Sequence, residues 1–481
     1  MQLKKRHIIP WLLFAGKPWK NSAVARIMML AFAIAISGCK KLIEVPVPPT
    51  ETTPTTVFTS DANATSAVIG IYGDMISSKG FASGNSRSIT FLGALSADEL
   101  QNYSSLTAPR EFYENSLNSN NSVVENQLWD EGYHYIYAAN LLLEGLEKSQ
   151  GVSPGTKARL RGEALFIRAF CHFYLVNLFG DIPYLEVTDY TKNIVSYRQL
   201  RTTVYDHITA DLVEAQSLLP DNAERVRPNK WAATAFLARV YLYAGKWEAA
   251  AMQAGKVINN TSTYRLEESL DKVFLIKSNE AIWQLLSNSA GVNTWEGKNF
   301  ILTRAPATGE TNSSVISSSL LNVFEDGDQR RSSWVGSITV GAGGKYYFPY
   351  KYKVKSDTAI SEASMVLRLA EQYLVRAEAR VHLGNLGGAK EDVDLIRRRA
   401  GLPGTTVSNE PALLSAIAHE RQVELFTEWG HRWLDLKRTG QANAILNNEK
   451  APSWQPMDTL YPIPQNELIL NKNLTQNQGY N

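Results

Sequence analysis

Ala238-Arg-Val-Tyr-Leu-Tyr-Ala-Gly-Lys-Trp-Glu-Ala-Ala-Ala-Met-Gln-Ala-Gly-Lys-Val257 and, far along the chain, Ala377-Glu-Ala-Arg-Val-His-Leu-Gly-Asn-Leu-Gly-Gly-Ala-Lys-Glu-Asp-Val-Asp-Leu-Ile396 carry one pattern. Ala238, Tyr241, Gly245, Ala250, Ala254 and Val257 of the first hold the same spacing as Ala377, Arg380, Gly384, Ala389, Val393 and Ile396 of the second. Small residues at these positions let two paired helices approach closely, and the glycine permits the turn between them. The copies are too distant for a tandem array, so each must pack against other helices of the chain.

The pattern resembles the tetratricopeptide helix–turn–helix. Outward from it, helical periodicity begins at Ser60, an N-cap residue, and runs through Ala62–Met75. It resumes over Val123–Leu146 and over Thr156–Phe179, where Gly180-Asp181-Ile182-Pro183 is a helix stop. Residues 77–122 and 287–350 are instead rich in Ser, Asn and Gly with scattered aromatics. Within the second, Val335–Val340 and Lys345–Tyr350 read as strand fragments. The expected class is mainly α: tetratricopeptide-like helix pairs forming a scaffold, with loop-rich insertions and a small β element.

Of 481 residues, 44% are hydrophobic and 20% charged, a globular composition that excludes a disordered or collagenous chain. Two cysteines exclude a disulfide-stapled one. The formal charge of +2 is misleading, because Lys4, Lys5, Arg6, Lys17, Lys20 and Arg26 face no Asp or Glu in residues 1–38. The remainder is net acidic, which argues against nucleic acid as a partner. Residues 1–38 have the layout of a secretory signal, with an apolar run, Ile27–Ile36, too short for a permanent membrane span. Ile36-Ser37-Gly38-Cys39 resembles a bacterial lipobox, in which Cys39 is lipidated and becomes the first mature residue. The four prolines of Val45–Thr56 favour a polyproline II spacer of roughly 35 Å. The expected organisation is a lipoprotein signal peptide (1–38), a lipidated cysteine and Pro/Thr-rich tether (39–56), and one domain (57–481). Its N-terminal part covers about 57–270 and its C-terminal part about 271–481.

No Gly-x-Ser-x-Gly, Walker A or dinucleotide-binding glycine motif occurs in a strand–helix context. His419-Glu420 opens like a zinc-protease helix, but Val423 stands where the second histidine is needed, so no metal is expected. Cys171 lies in the apolar stretch Ala164–Val176 and reads as a small buried hydrophobe. The densest charge falls in Glu420–Arg438. There Arg421–Glu424, Glu428–Arg432, His431–Asp435 and Asp435–Arg438 have helical pairing distances, and Leu425, Trp429, Trp433 and Leu436 form an apolar stripe. This predicts a salt-bridge ladder locking one helix onto its neighbours, not a catalytic carboxylate cluster.

That stretch, Glu420-Arg421, Glu424-Leu425, Glu428, Gly430, Arg432, Asp435-Leu436 and Arg438, is similar to a hallmark of the RagB/SusD family. So are Leu367–Ala379, Arg161–Phe170 with Leu178–Pro183, and the tail Leu460-Tyr-Pro-Ile-Pro464, Glu467, Asn471, Asn473-Leu474, Gln476-Asn477 and Gly479-Tyr480. The resemblance covers the whole mature chain. It implies a non-catalytic, cofactor-free lipoprotein of the outer membrane, at the cell surface. Such a protein binds glycans or other nutrients and delivers them to a SusC-like TonB-dependent transporter. The alternative is a helical-repeat interaction scaffold with no small-molecule ligand. The matching motifs are scaffold and transfer no binding site.

Sugar recognition needs flat apolar faces for C–H surfaces and amides or charges for hydroxyls. The first loop region offers Asn102, Tyr103 and Arg110. The second offers Asn293 and Trp295, with Trp334 beyond. Trp295 lies outside any periodic apolar pattern, which predicts an exposed stacking platform.

Cys39→Ala is expected to leave the fold intact and shift the protein from the membrane to the soluble fraction. Fractionation in cells lacking any transporter partner checks this, and retention on the membrane would refute lipidation as the anchor.

Overall fold

The structure is a computed structural model describing residues 57–77, 79–341 and 344–480. The signal segment, Cys39 and the tether lie outside the described residues. First in the chain come α1 (Asp61–Met75), α2 (Ile89–Ser96), β1 (Leu100–Asn102) and α3 (Thr107–Glu114). A π-helical turn (Val124–Trp129) then runs into α4 (Asp130–Lys148), followed by α5 (Pro154–Phe179) and α6 (Arg201–Leu218). Next are α7 (Lys230–Tyr243), α8 (Trp247–Asn259), β2 (Ala281–Leu285), β3 (Ser314–Ile316), β4 (Val335–Val340), β5 (Gly344–Pro349) and β6 (Ser364–Arg368). The C-terminal part adds α9 (Leu369–His382), α10 (Leu386–Arg399), α11 (Glu410–Leu425) and α12 (His431–Arg438), with shorter helical turns between. Among the described residues no helix is long and apolar enough to cross a membrane.

Helix α5 is the axis of the core. Ser153 caps it by accepting from the Thr156 N–H, Pro154 opens it, and Gly180 at φ 77° ends it. Every residue from Gly162 to Phe179 is buried, a state a helix can hold only when walled by others, here α4 and α6 among them. Its polar groups are matched internally. Arg168 grips Asp211 at 2.8 and 2.7 Å, and Glu163 accepts from Arg227 and from the Tyr72 hydroxyl. Cys171 is buried on the same helix, and burial pushes its thiol well above the usual range. Phe170 meets Trp283 and Trp429 edge to face at 5.3 and 5.4 Å, so the main core draws on both halves of the chain.

The two echoing stretches form the pairs α7–α8 and α9–α10, and α8 packs directly on α9. Gly245 and Gly384 sit at φ 68° and 76° in the two turns, where a side chain would be strained. Ala238, Ala250, Ala254, Ala377 and Ala389 are fully buried at the close approaches. Arg239 of α7 and Glu371 of α9, both buried, form a bidentate pair at 2.6 and 2.7 Å that joins the two pairs.

Among the described residues, three two-stranded antiparallel ribbons complete the fold: β1–β3, β2–β6 and β4–β5. The β4–β5 hairpin meets the expected strands. The other two join segments remote in sequence.

The charged stretch 420–438 is not one helix. Its path breaks between α11 and α12, where Thr427, Trp429 and Gly430 take φ of 50°, 48° and 68°. A Cβ at Gly93 of α2 would lie 2.8 Å from the Gly430 Cα, so α2 crosses this corner with no room for a side chain on Gly93, while the φ of 68° favours glycine at 430. Of the four expected ladder pairs only Asp435–Arg438 forms, at 2.7 Å. The break turns the other charges toward distant partners: Arg421 to Asp435, Arg432 to Asp98, and Glu424 to Arg330, Arg368 and Arg399.

Trp433 is fully buried, stacked on Tyr461 at 6.0 Å and edge-on to Trp454. Trp433→Ala is expected to cost roughly 3–5 kcal/mol in a denaturant titration, and an unchanged midpoint would contradict this packing.

Candidate functional site

The two loop regions meet. Leu100, Gln101 and Asn102 of β1 pair with Ile316, Val315 and Ser314 of β3. Beyond the ribbon the Tyr103 N–H donates to the Ser313 carbonyl and the Ser105 N–H to the Thr308 carbonyl, each at 2.8 Å. The half-exposed rings of Tyr103 and Tyr346 (β5) meet edge to face with centroids 5.9 Å apart.

Beside this junction lies a cleft of about 550 Å³, walled by Ser86, Arg87, Leu106, Pro109, Asn126 and Gln127, with Thr311 reaching in from the second loop region. The Asn85 side chain accepts from the Arg87 N–H at 2.8 Å and shapes the loop that carries Arg87. The Phe81 N–H donates to the Gln127 carbonyl at 3.1 Å, tying that loop to the π-helical turn. Such turns add a residue to the helical path and displace side chains from the ordinary helix face. Here the turn carries Asn126 and Gln127, and the buried Gln127 Oε1 has no hydrogen-bond partner. The cleft thus combines apolar wall, amides, hydroxyls and one cation, a lining suited to a hydroxyl-rich ligand.

The expected site residues divide. Tyr103 stands at the loop junction with its ring half exposed. Asn102 adjoins it, but its amide turns back on Ser104, donating to the Ser104 carbonyl and accepting from the Ser104 N–H. Arg110 is exposed on α3, 3.9 Å from Glu114.

The other three do not join this cluster. Asn293 is fully buried: its Oδ1 accepts from the N–H groups of Ser361 and Glu362, and its Nδ2 donates to the Asp357 and Ala359 carbonyls. It organises the 357–362 loop and has no free group for a sugar. Trp334 is also fully buried, with Phe274 and Phe426 around it and its indole N–H on the Leu270 carbonyl. Trp295 begins a short helix, Trp295–Phe300, capped by Thr294, rather than standing on a loop. Its indole N–H donates to the Ile76 carbonyl at 2.9 Å, and the Lys298 ammonium lies 4.6 Å from its ring centroid. The expectation of a free stacking platform fails there because the ring is half buried and already engaged.

Arg87, Asn126, Gln127 and Tyr346 were not expected. Gln127 and Asn126 read as ordinary helix, and a π-helical turn leaves no period in the sequence. The alternation of the 345–350 strand was the one signal that could have pointed to Tyr346.

Glu296, next to Trp295, is buried under Gly84. A Cβ at Gly84 would lie 2.2 Å from its carboxyl carbon, and Gly84 holds φ 82°. Burial pushes the Glu296 carboxyl up to about 7 against the opposing hydrogen bond from Ser364. Between about pH 4.5 and 7 the unfolded chain therefore ionises this group while the folded chain keeps its proton, so stability falls as pH rises. Glu296→Gln is expected to match the wild type at acidic pH and to exceed it in melting temperature above pH 7. Parallel pH-dependent melting curves would refute this assignment.

Comparison with known proteins bears on the whole chain. Residues 80–242 match a family described as SusD-like, starch-binding and associating with the outer membrane, and residues 292–480 match the SusD family. SusD-like protein P2 of Formosa agariphila is 27% identical over 95% of this chain and 99% of its own. The starch-binding protein SusD of Bacteroides thetaiotaomicron is 24% identical over 70% of this chain and 75% of its own. Among solved structures, a SusD superfamily protein of Bacteroides vulgatus superimposes with a TM-score of 0.78 at 22% identity, covering 88% of this chain and 100% of the other. A laminarin-binding SusD-like protein does so at 0.72 and 26% identity, with the same coverage. In fold and in sequence along most of its length, this chain belongs to the RagB/SusD family.

Proposed function

We propose that the protein is a non-catalytic glycan-binding lipoprotein, held at the outer membrane by lipidated Cys39, which passes its ligand to a SusC-like TonB-dependent transporter. The observation that carries the binding part is the cleft between the two loop regions. It holds uncommitted polar groups of Arg87 and Gln127. The half-exposed Tyr103–Tyr346 pair stands at the loop junction, with Tyr103 three residues before the Leu106 wall, so donors and aromatic faces of the kind sugars require are both on hand. The starch-binding and laminarin-binding relatives support a glycan as the ligand class.

A second surface supports a protein partner. Tyr190, Tyr197, Leu200 and Leu470 are the most exposed large hydrophobics among the described residues, at 65–70% exposure. The segments carrying them are held together, because Asn471 and Asn473 donate to the carbonyls of Ser196 and Val195. An apolar patch of this kind, rimmed by polar groups, is typical of a docking face.

Titration calorimetry against neutral and acidic oligosaccharides, a laminari-oligosaccharide among them, tests the binding reading. Tyr103→Ala is expected to weaken binding by roughly 1–2 kcal/mol, about 5- to 30-fold in Kd, with little change in melting temperature. Unchanged affinity in this variant would move the site away from the cleft.

A further inference from the structure

We infer that this cleft takes an anionic glycan, one bearing a carboxylate or a sulfate ester. The inference rests on the glycan-binding reading above and concerns which glycans the site selects.

Its basis is the charge balance of the walls. The lining residues include one cation, Arg87, and no Asp or Glu. The Arg87 side chain is exposed to the cleft and makes no ion pair or hydrogen bond among the described residues. Elsewhere in the molecule buried and half-buried guanidinium groups meet carboxylates closely, as Arg168, Arg239, Arg376 and Arg438 do. The carboxylates nearest the cleft in sequence are occupied. Glu111 accepts from the Asn118 N–H and the Asn121 amide, Glu125 from the Asn466 amide, and Glu114 from Ser116. None of them lines the cleft, so none neutralises Arg87.

The remaining lining groups favour the same ligand. Leu106, at the N-cap of α3, supplies no side-chain cap, and Leu106, Ala108 and Pro109 of that end form one wall. The positive end of the α3 dipole therefore adds to the field of Arg87 in the same space. Sugar hydroxyls as donors are best met by carboxylates, and this cleft has none. It offers the Gln127 carbonyl and a few hydroxyls instead. A site rich in donors, poor in acceptors and net positive suits the planar carboxylate of a uronic acid or the oxygens of a sulfate ester, which a guanidinium can meet with two parallel hydrogen bonds.

The test is calorimetry of the full chain with two matched pairs. One is a uronate oligosaccharide and its carboxyl-reduced form, and the other a sulfated oligosaccharide and its desulfated form. In at least one pair the anionic member is expected to bind at least about tenfold tighter, and that margin should shrink as salt is raised past about 0.5 M. The pair that shows the margin identifies the anion. Arg87→Gln should remove the margin by weakening the anionic member far more than the neutral one, with an unaltered melting curve. Equal affinities within both pairs would overturn the anionic preference while leaving the glycan site standing, provided that Tyr103→Ala still weakens binding. A margin that persists in Arg87→Gln would overturn the assignment to this cleft. Absence of binding to every member would overturn both this inference and the glycan reading beneath it.

Discussion

Glu424 keeps its charge in full burial because three guanidinium groups converge on it. Arg368 approaches to 2.6 Å and Arg330 to 3.0 Å, and Arg399 also bonds it. Burial alone would raise its pKa, but Arg399, Arg368 and Arg330 hold it well below the usual carboxylate range. The same arginines reach further. Arg368 also grips Glu428, Arg330 grips Asp328 and Glu420, and Arg399 bonds Glu280. Charges withdrawn from water in this way are tolerable only when every partner is in place, so the network fixes geometry more than it adds net stability.

The corner between α11 and α12 is where this constraint reaches the cleft. Arg330 belongs to the second loop region and is anchored to α11 through Glu420 and Glu424. Asp98, just before β1 in the first loop region, is gripped by Arg432 of α12, while Glu99 accepts from the Thr427 N–H. Both loop regions are thus fastened to one corner, and β1 can find β3 despite more than two hundred residues of intervening chain. The cleft walls sit above that frame. Arg87 and Asn126 are exposed and can change without disturbing the buried ions. A rigid scaffold carrying variable loops is a common basis for recognition of different ligands on one fold.

Local signals in the sequence were reliable where the responsible physics is local. The α5 end followed from Gly180, the α1 start from Ser60, and the helix pairs from the recurrent alanines and glycines, while Ser153 and Pro154 start α5 two residues before the expected Thr156. These depend on caps, turn conformations and helical period, which operate within a few residues. The β4–β5 hairpin was legible for the same reason. The site was much less so. Tyr103 keeps its ring half exposed as expected, but Trp295, Asn293 and Trp334 were judged by polar neighbours in sequence, and burial is decided by neighbours in space. Trp334 lies among Phe274, Tyr352 and Phe426, none of them near enough in sequence to reveal the packing.

The sequence by itself therefore determined the helical scaffold, its repeat-like pairs and its family, because these are written in periodicity, capping and motif spacing. Tertiary structure alone decided the pairing of the buried charges and the composition of the cleft. Glu424 has helical spacing to Arg421 yet binds Arg330, Arg368 and Arg399 from other segments, while the left-handed residues at 427–430 turn α12 so that its Asp435 takes Arg421. Arg87 and Gln127 meet Thr311 only because two remote loops are fastened to that same corner. Electrostatic and packing energies depend on distance through space, and no spacing along the chain encodes that distance once the backbone has turned.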